Sequence, residues 1–220
     1  MSTGPGTMGL GLWQFLAVWA LMMAAMMLPA LAPFTSTYLR SLRAVRSSRV
    51  RAARTAALVG GYLLTWIGFG MLAFAAAALS ALLAENAADL APWVGAGALA
   101  AAGVYQLTPL KDFCLRHCRS PMAFLLHVSG YKGRLRDVRV GIYHGMYCVG
   151  CCWGLMVVLI AVGVMNLAWM AVLTVVIFLE KTWTHGPAFS RIAGALLIVF
   201  ALFVPAHPDL LPGLHMTAGM

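Results

Sequence analysis

Acidic side chains are scarce in this chain: six Asp and Glu stand among 220 residues, and only 10% of all residues are charged. A soluble domain carries about 25% charged residues, so a soluble globular domain is excluded. Phosphate-cradling glycine loops of the P-loop pattern are missing, as are a serine-centred nucleophile elbow and a His-Glu-x2-His pair. ATP-driven coupling and the common hydrolase chemistries are therefore not expected. The apolar runs also lack the alternation of barrel strands, which leaves helices as the elements that can pair their backbone groups in lipid.

What remains is apolar and basic. Hydrophobic residues make up 62% of the chain, and the mean hydropathy is +0.88. Several runs approach the ~20 residues that span a bilayer. The net charge of +9 is not a nucleic-acid signal, because its distribution is that of a membrane topology. All 15 Lys and Arg lie in three places: Arg40 to Arg54, Lys111 to Arg139, and the pair Lys181 and Arg191. The positive-inside rule makes these regions cytoplasmic.

The expected fold is all-α: one polytopic transmembrane bundle over residues 1–220. Six helices are expected over about 12–34, 56–84, 92–107, 140–162, 167–184 and 188–204, with both termini outside. Thr108-Pro109 reads as a helix N-cap followed by proline at the first helical position. It predicts a short interfacial helix after the third span, reaching about Arg119 and ended by Pro121. Residues 122–139 read as a basic loop. Clusters such as Gly60-Gly61, Gly68 and Gly70 on the second helix, and Gly145, Gly150 and Gly154 on the fourth, permit close helix contact. The expected location is the bacterial cytoplasmic membrane.

The chemistry concentrates in His144-Gly-Met-Tyr-Cys148-Val-Gly-Cys151-Cys152-Trp153. At ~100° per residue, with His144 at zero, Cys148 falls near ~40°, Cys151 near ~−20° and Cys152 near ~80°. The four side chains share about a third of the circumference over roughly 12 Å of helix. Thiolates and imidazole are the ligands that Cu(I) and Zn(II) favour. Packing is the competing reading, since cysteine is also a small buried hydrophobe. Other candidate donors are Met22 and Met26 on the first helix, Cys114 and Cys118 one turn apart on the interfacial helix, and Met170 on the fifth. Glu180 on the fifth helix is an ionisable residue in an apolar segment, a functional candidate by default; an ion pair with Lys181 is its alternative.

A set of motifs runs through most of the chain: Met22-Met23-x2-Met26-Met27-x-Pro29; Tyr105-Gln106-x4-Lys111-x2-Cys114-Leu115-x2-Cys118-Arg119-x-Pro121; Gly145-x2-Cys148-x-Gly150-Cys151-Cys152-Trp153; Met165-x3-Trp169-Met170; and Glu180-Lys181. Together they resemble a bacterial family of predicted metal-binding integral membrane proteins, a domain of unknown function. The likeness covers roughly residues 13 to 205. It implies metal-related positions at these Met, Cys, Gln and Glu residues and names no metal.

Three functions compete. The leading one is binding, and movement or delivery, of a soft transition metal within the membrane. Copper is favoured and zinc is the other candidate, because Cys and Met together suit Cu(I) whereas carboxylate-rich sites suit Mn or Mg. It would take a metal-donor or metal-acceptor protein as partner, with the lipid bilayer around it; an oligomer is compatible and nucleic acid is not expected. The second is a membrane thiol–disulfide oxidoreductase using Cys148 and Cys151. The third is a non-catalytic assembly subunit of a membrane complex.

Overall fold

The computed structural model describes residues 9–87, 89–162 and 167–206. Every element among them is a helix: α1 (Leu12–Ser41), α2 (Ser48–Asn86), α3 (Ala91–Gln106), α4 (Pro109–Arg119), α5 (Pro121–His127), α6 (Arg136–Val162), α7 (Leu167–Thr182) and α8 (Gly186–Phe203). Each of the six expected apolar helices is present, most of them longer than the apolar run alone. The six-span topology is not. Among the described residues, four helices, α1, α2, α6 and α8, are long and apolar enough to cross a membrane. Helices α3 and α7 have 16 residues each, about 24 Å at ~1.5 Å per residue against a hydrocarbon layer of about 30 Å. Apolar composition marked them as spans; their length does not. The terminal segments and Met165 lie outside the described residues.

The interfacial helix forms as its sequence predicts. Thr108 caps α4, its side chain accepting from the Lys111 backbone N–H at 3.4 Å, and Pro109 occupies the first turn. The expected loop after it is partly helical, because Pro121 starts the short α5. Proline at a first helical position lacks only an N–H that would have gone unpaired.

Helix α6 is the centre of the bundle and packs on α2, α3, α4 and α7. Its crossing with α2 is backbone on backbone. A Cβ on Gly141 would collide with the Leu58 carbonyl, and one on Gly61 with the Val138 carbonyl. Only bare glycines allow that approach. Helix α3 meets α8 in the same way, Gly103 against Gly194. The main core gathers Trp19, Met22, Met23, Met26 and Met27 of α1 with Tyr62 and Trp66 of α2 and Cys148, Cys151, Cys152 and Met156 of α6. The buried Trp19 indole N–H donates to the Trp66 carbonyl at 3.0 Å.

The three basic stretches meet at one end. Arg54 pairs with Asp137 at 2.8 Å, and Arg191 with Asp112 at 3.1 Å. Tyr38 donates to the same Asp137 carboxylate. These contacts fasten the end of α1 and the start of α2 to the start of α6, and α8 to α4.

Candidate metal centre

Cysteines at 148, 151 and 152 stand at i, i+3 and i+4 of α6, so one helix turn gathers all three. Their sulfurs lie within 4.8 Å of one another, with Cys151 and Cys152 at 3.3 Å. With metal–sulfur bonds of about 2.3 Å, three sulfurs in a plane around one ion stand about 4 Å apart, so the triad has the spacing a trigonal site needs. All three are almost completely excluded from solvent, at 0–1% exposure.

Groups from three other helices reach this triad. The glycine crossing brings α2 close enough for the Tyr62 hydroxyl to lie 2.9 Å from Cys148 Sγ. From α7, the Lys181 ammonium donates to Cys148 Sγ at 2.8 Å. A buried cation needs a counter-charge, and among these neighbours a cysteine sulfur is the group that can supply one. From α4, Cys118 Sγ approaches Cys151 Sγ to 3.8 Å.

The remaining predicted donors are placed as follows. His144, one turn before Cys148, is buried and stacks on Phe34 with ring centroids 4.0 Å apart. Its Nδ1 has no hydrogen-bond partner among the described residues. Met22 and Met26 are buried in the same core as the triad, and Met170 is partly buried against it. Cys114 and Cys118, expected as a pair, have different neighbours. Cys118 turns to Cys151, while Cys114 packs on the α6 backbone, its sulfur 2.8 Å from where a Gly150 Cβ would stand. Burial pushes the Cys114 thiol above the ordinary cysteine range.

Glu180 does not pair with its sequence neighbour. Both of its carboxylate oxygens accept from Lys111 Nζ, at 2.8 and 3.0 Å, and neither side chain is open to solvent. Lys111 also donates to Gln106, whose carbonyl oxygen accepts from Ser190 at 3.5 Å. The cluster joins α3, α4, α7 and α8. Adjacent residues on a helix point to different faces, which is why Glu180 meets α4 while Lys181 meets Cys148. Tyr62, Lys111 and Lys181 are the neighbours that sequence reasoning did not assign to these roles. Lys111 and Lys181 carried the available signal, as lysines in a mainly apolar chain. Nothing in the sequence marked Tyr62.

The comparisons agree with this chemistry. The chain belongs to the PpoB2 family, described as copper chaperone, whose sequence model matches residues 16–204. No curated protein and no solved structure matches it. The family and the three-cysteine cluster both fit the binding of a transition metal, and copper is compatible with both. The four long apolar helices fit a membrane protein.

Proposed function

We propose that this chain is a membrane-embedded copper carrier that holds Cu(I) on Cys148, Cys151 and Cys152 and passes it to another ligand-bearing molecule. The observation that carries this reading is the convergence of three buried sulfurs at mutual distances within 4.8 Å, in a chain of the copper chaperone family. Thiolates suit both Cu(I) and Zn(II), but a structural zinc site takes four protein ligands in a tetrahedron, whereas three sulfurs at this spacing suit a three-coordinate Cu(I). His144, with its buried and unpartnered Nδ1, is the nearest non-sulfur candidate donor along α6. Met22 and Met26 supply thioether lining from α1. Glu180 is left out of the donor set because Lys111 occupies its carboxylate.

Four observations give the ion its setting. The triad is dry, which protects Cu(I) from water. Tyr62 and Lys181 both bear on Cys148, which fixes that sulfur. The sulfurs sit on one rigid helix, so little ordering is needed on binding. The arrival of a cation beside Lys181 sets two positive charges against the same sulfurs, so a monovalent ion is favoured over a divalent one.

The test is copper analysis of the detergent-purified protein after loading with Cu(I) under reducing conditions. The wild-type protein retains copper through desalting, and the triple variant Cys148→Ser, Cys151→Ser, Cys152→Ser does not. Equal copper in both would remove the triad from the account. A thiol–disulfide reading draws on the Cys118–Cys151 approach of 3.8 Å; it requires a redox-active bond in the metal-free protein and a mixed disulfide with a client, both visible by thiol trapping.

A further inference from the structure

The three sulfurs on α6 have no exposure of consequence, so a cation held there needs a way out. One pocket, of about 240 Å³, reaches the triad's neighbours. It is lined by Pro33 and Phe34 of α1, Cys118 and Arg119 of α4, and Lys181 and Thr182 of α7. Two of these residues each touch a different triad sulfur. Cys118 Sγ is 3.8 Å from Cys151 Sγ, and Lys181 Nζ is 2.8 Å from Cys148 Sγ. Cys118 is only partly buried. It therefore stands between the closed triad and the open pocket.

Resting on the copper-carrier reading, we infer that Cys118 is the exchange ligand of the site. It takes the ion from the triad and presents it to an incoming small anionic thiol in this pocket. In the transfer, a Cys118 sulfur–copper bond forms as one triad sulfur–copper bond breaks. The proton leaving the Cys118 thiol passes to the sulfur that lets go. Copper stays Cu(I), and no electron moves. Incoming thiols then bond the ion one at a time as the two remaining triad sulfurs and finally Cys118 release it, and the proton of each arriving thiol passes to the sulfur that lets go.

Helix α4 is built to hold Cys118 in that position. Lys111, near its start, is tied to Glu180 of α7. Arg119, at its end, donates to the Glu180 carbonyl at 2.6 Å and to the Thr184 carbonyl at 3.2 Å. Cys118 lies between these two anchors. Cys114, one turn earlier, is not among the pocket's lining residues and packs on Gly150 instead.

The pocket also indicates what arrives. Its volume falls below the ~300–1,000 Å³ of pockets for drug-sized ligands, so it admits a small thiol or the thiol-bearing arm of one, not a folded domain. Arg119 on its wall puts positive charge where an anion would enter, and none of the described residues that line it is acidic.

The experiment loads detergent-purified protein with Cu(I), removes excess metal, and follows copper loss to added glutathione, an anionic thiol, and to 2-aminoethanethiol, a cationic one. Three proteins are compared: wild type, Cys118→Ser and Cys118→Ala. Both variants are expected to hold as much copper as wild type and to release it to glutathione at least about tenfold more slowly, the scale of effect seen when a metal site loses a supporting group. The wild-type protein is expected to release copper faster to glutathione than to 2-aminoethanethiol. Wild-type release rates in both variants would overturn the inference. So would loss of copper retention in both, which would make Cys118 a holding ligand. Equal wild-type rates with the two thiols would overturn the anionic-thiol part without needing a variant. If wild-type protein held no copper at all, the carrier reading itself would fail, a result distinct from these.

Discussion

Replacing Glu180 by glutamine removes the counter-charge of a lysine that has no route to solvent. Lys111 and Glu180 have side-chain exposures of 0% and 1%, and the ammonium lies 2.8 Å from one carboxylate oxygen and 3.0 Å from the other. Breaking a buried pair from one side costs roughly 3–5 kcal/mol, because the remaining charge stays buried without compensation. For a domain of this size each kcal/mol moves the thermal midpoint by about 2–4 °C, so a drop of roughly 6–20 °C is expected for Glu180→Gln and, separately, for Lys111→Met. The double variant Lys111→Met with Glu180→Leu leaves neither member of this pair as an uncompensated charge and recovers most of the loss, since such pairs are often replaceable by apolar groups. Thermal unfolding of the purified protein in detergent, followed by circular dichroism, reads all three. Copper retention measured on Glu180→Gln below its midpoint stays at the wild-type level, because the carboxylate serves α4 and not the ion. An unmoved midpoint in both single variants, or a double variant that loses the sum of the two, would refute the reasoning. Copper loss in a folded Glu180→Gln protein would return the carboxylate to the donor set.

Three further outcomes follow from the same geometry. Gly141→Ala drives a methyl group into the Leu58 carbonyl; overpacking costs about 1–3 kcal/mol, so the thermal midpoint falls, whereas Gly68→Ala, which meets nothing within 4 Å, leaves it near wild type. His144→Phe keeps the stack on Phe34 and removes the unpartnered nitrogen; competition with a Cu(I) chelator should show about tenfold weaker binding, and unchanged affinity would make His144 a packing residue. Burial raises the Cys114 thiol, so its alkylation by iodoacetamide, quantified on its own peptide by mass spectrometry, keeps accelerating as pH rises past the ordinary cysteine value of about 8.5; a plateau below that pH would contradict the assignment.

The sulfur stripe was legible because helical periodicity alone places Cys148, Cys151 and Cys152 together, and one helix carries all three. The same holds for α4, whose start is written in Thr108-Pro109. Ser120-Pro121 carries two signals at once, because the proline that ends α4 also starts α5. What the sequence could not show was contact between helices. Tyr62 and Cys118 approach the triad across 86 and 33 residues of chain. The sequence offers Glu180 an ion pair with the adjacent Lys181 as the alternative to a functional role, but neighbours along a helix do not face one another; its partner is 69 residues away. The number of spans failed for another reason. Hydropathy marks α3 and α7 as apolar, but crossing a membrane also requires length, and both helices have 16 residues.

X-ray absorption of the copper-loaded protein tests the central claim most directly. The account predicts Cu(I) with a first shell dominated by sulfur at about 2.3 Å, lost when Cys148, Cys151 and Cys152 are all serine. A first shell made only of nitrogen and oxygen, or a sulfur shell that survives in the triple variant, would contradict it.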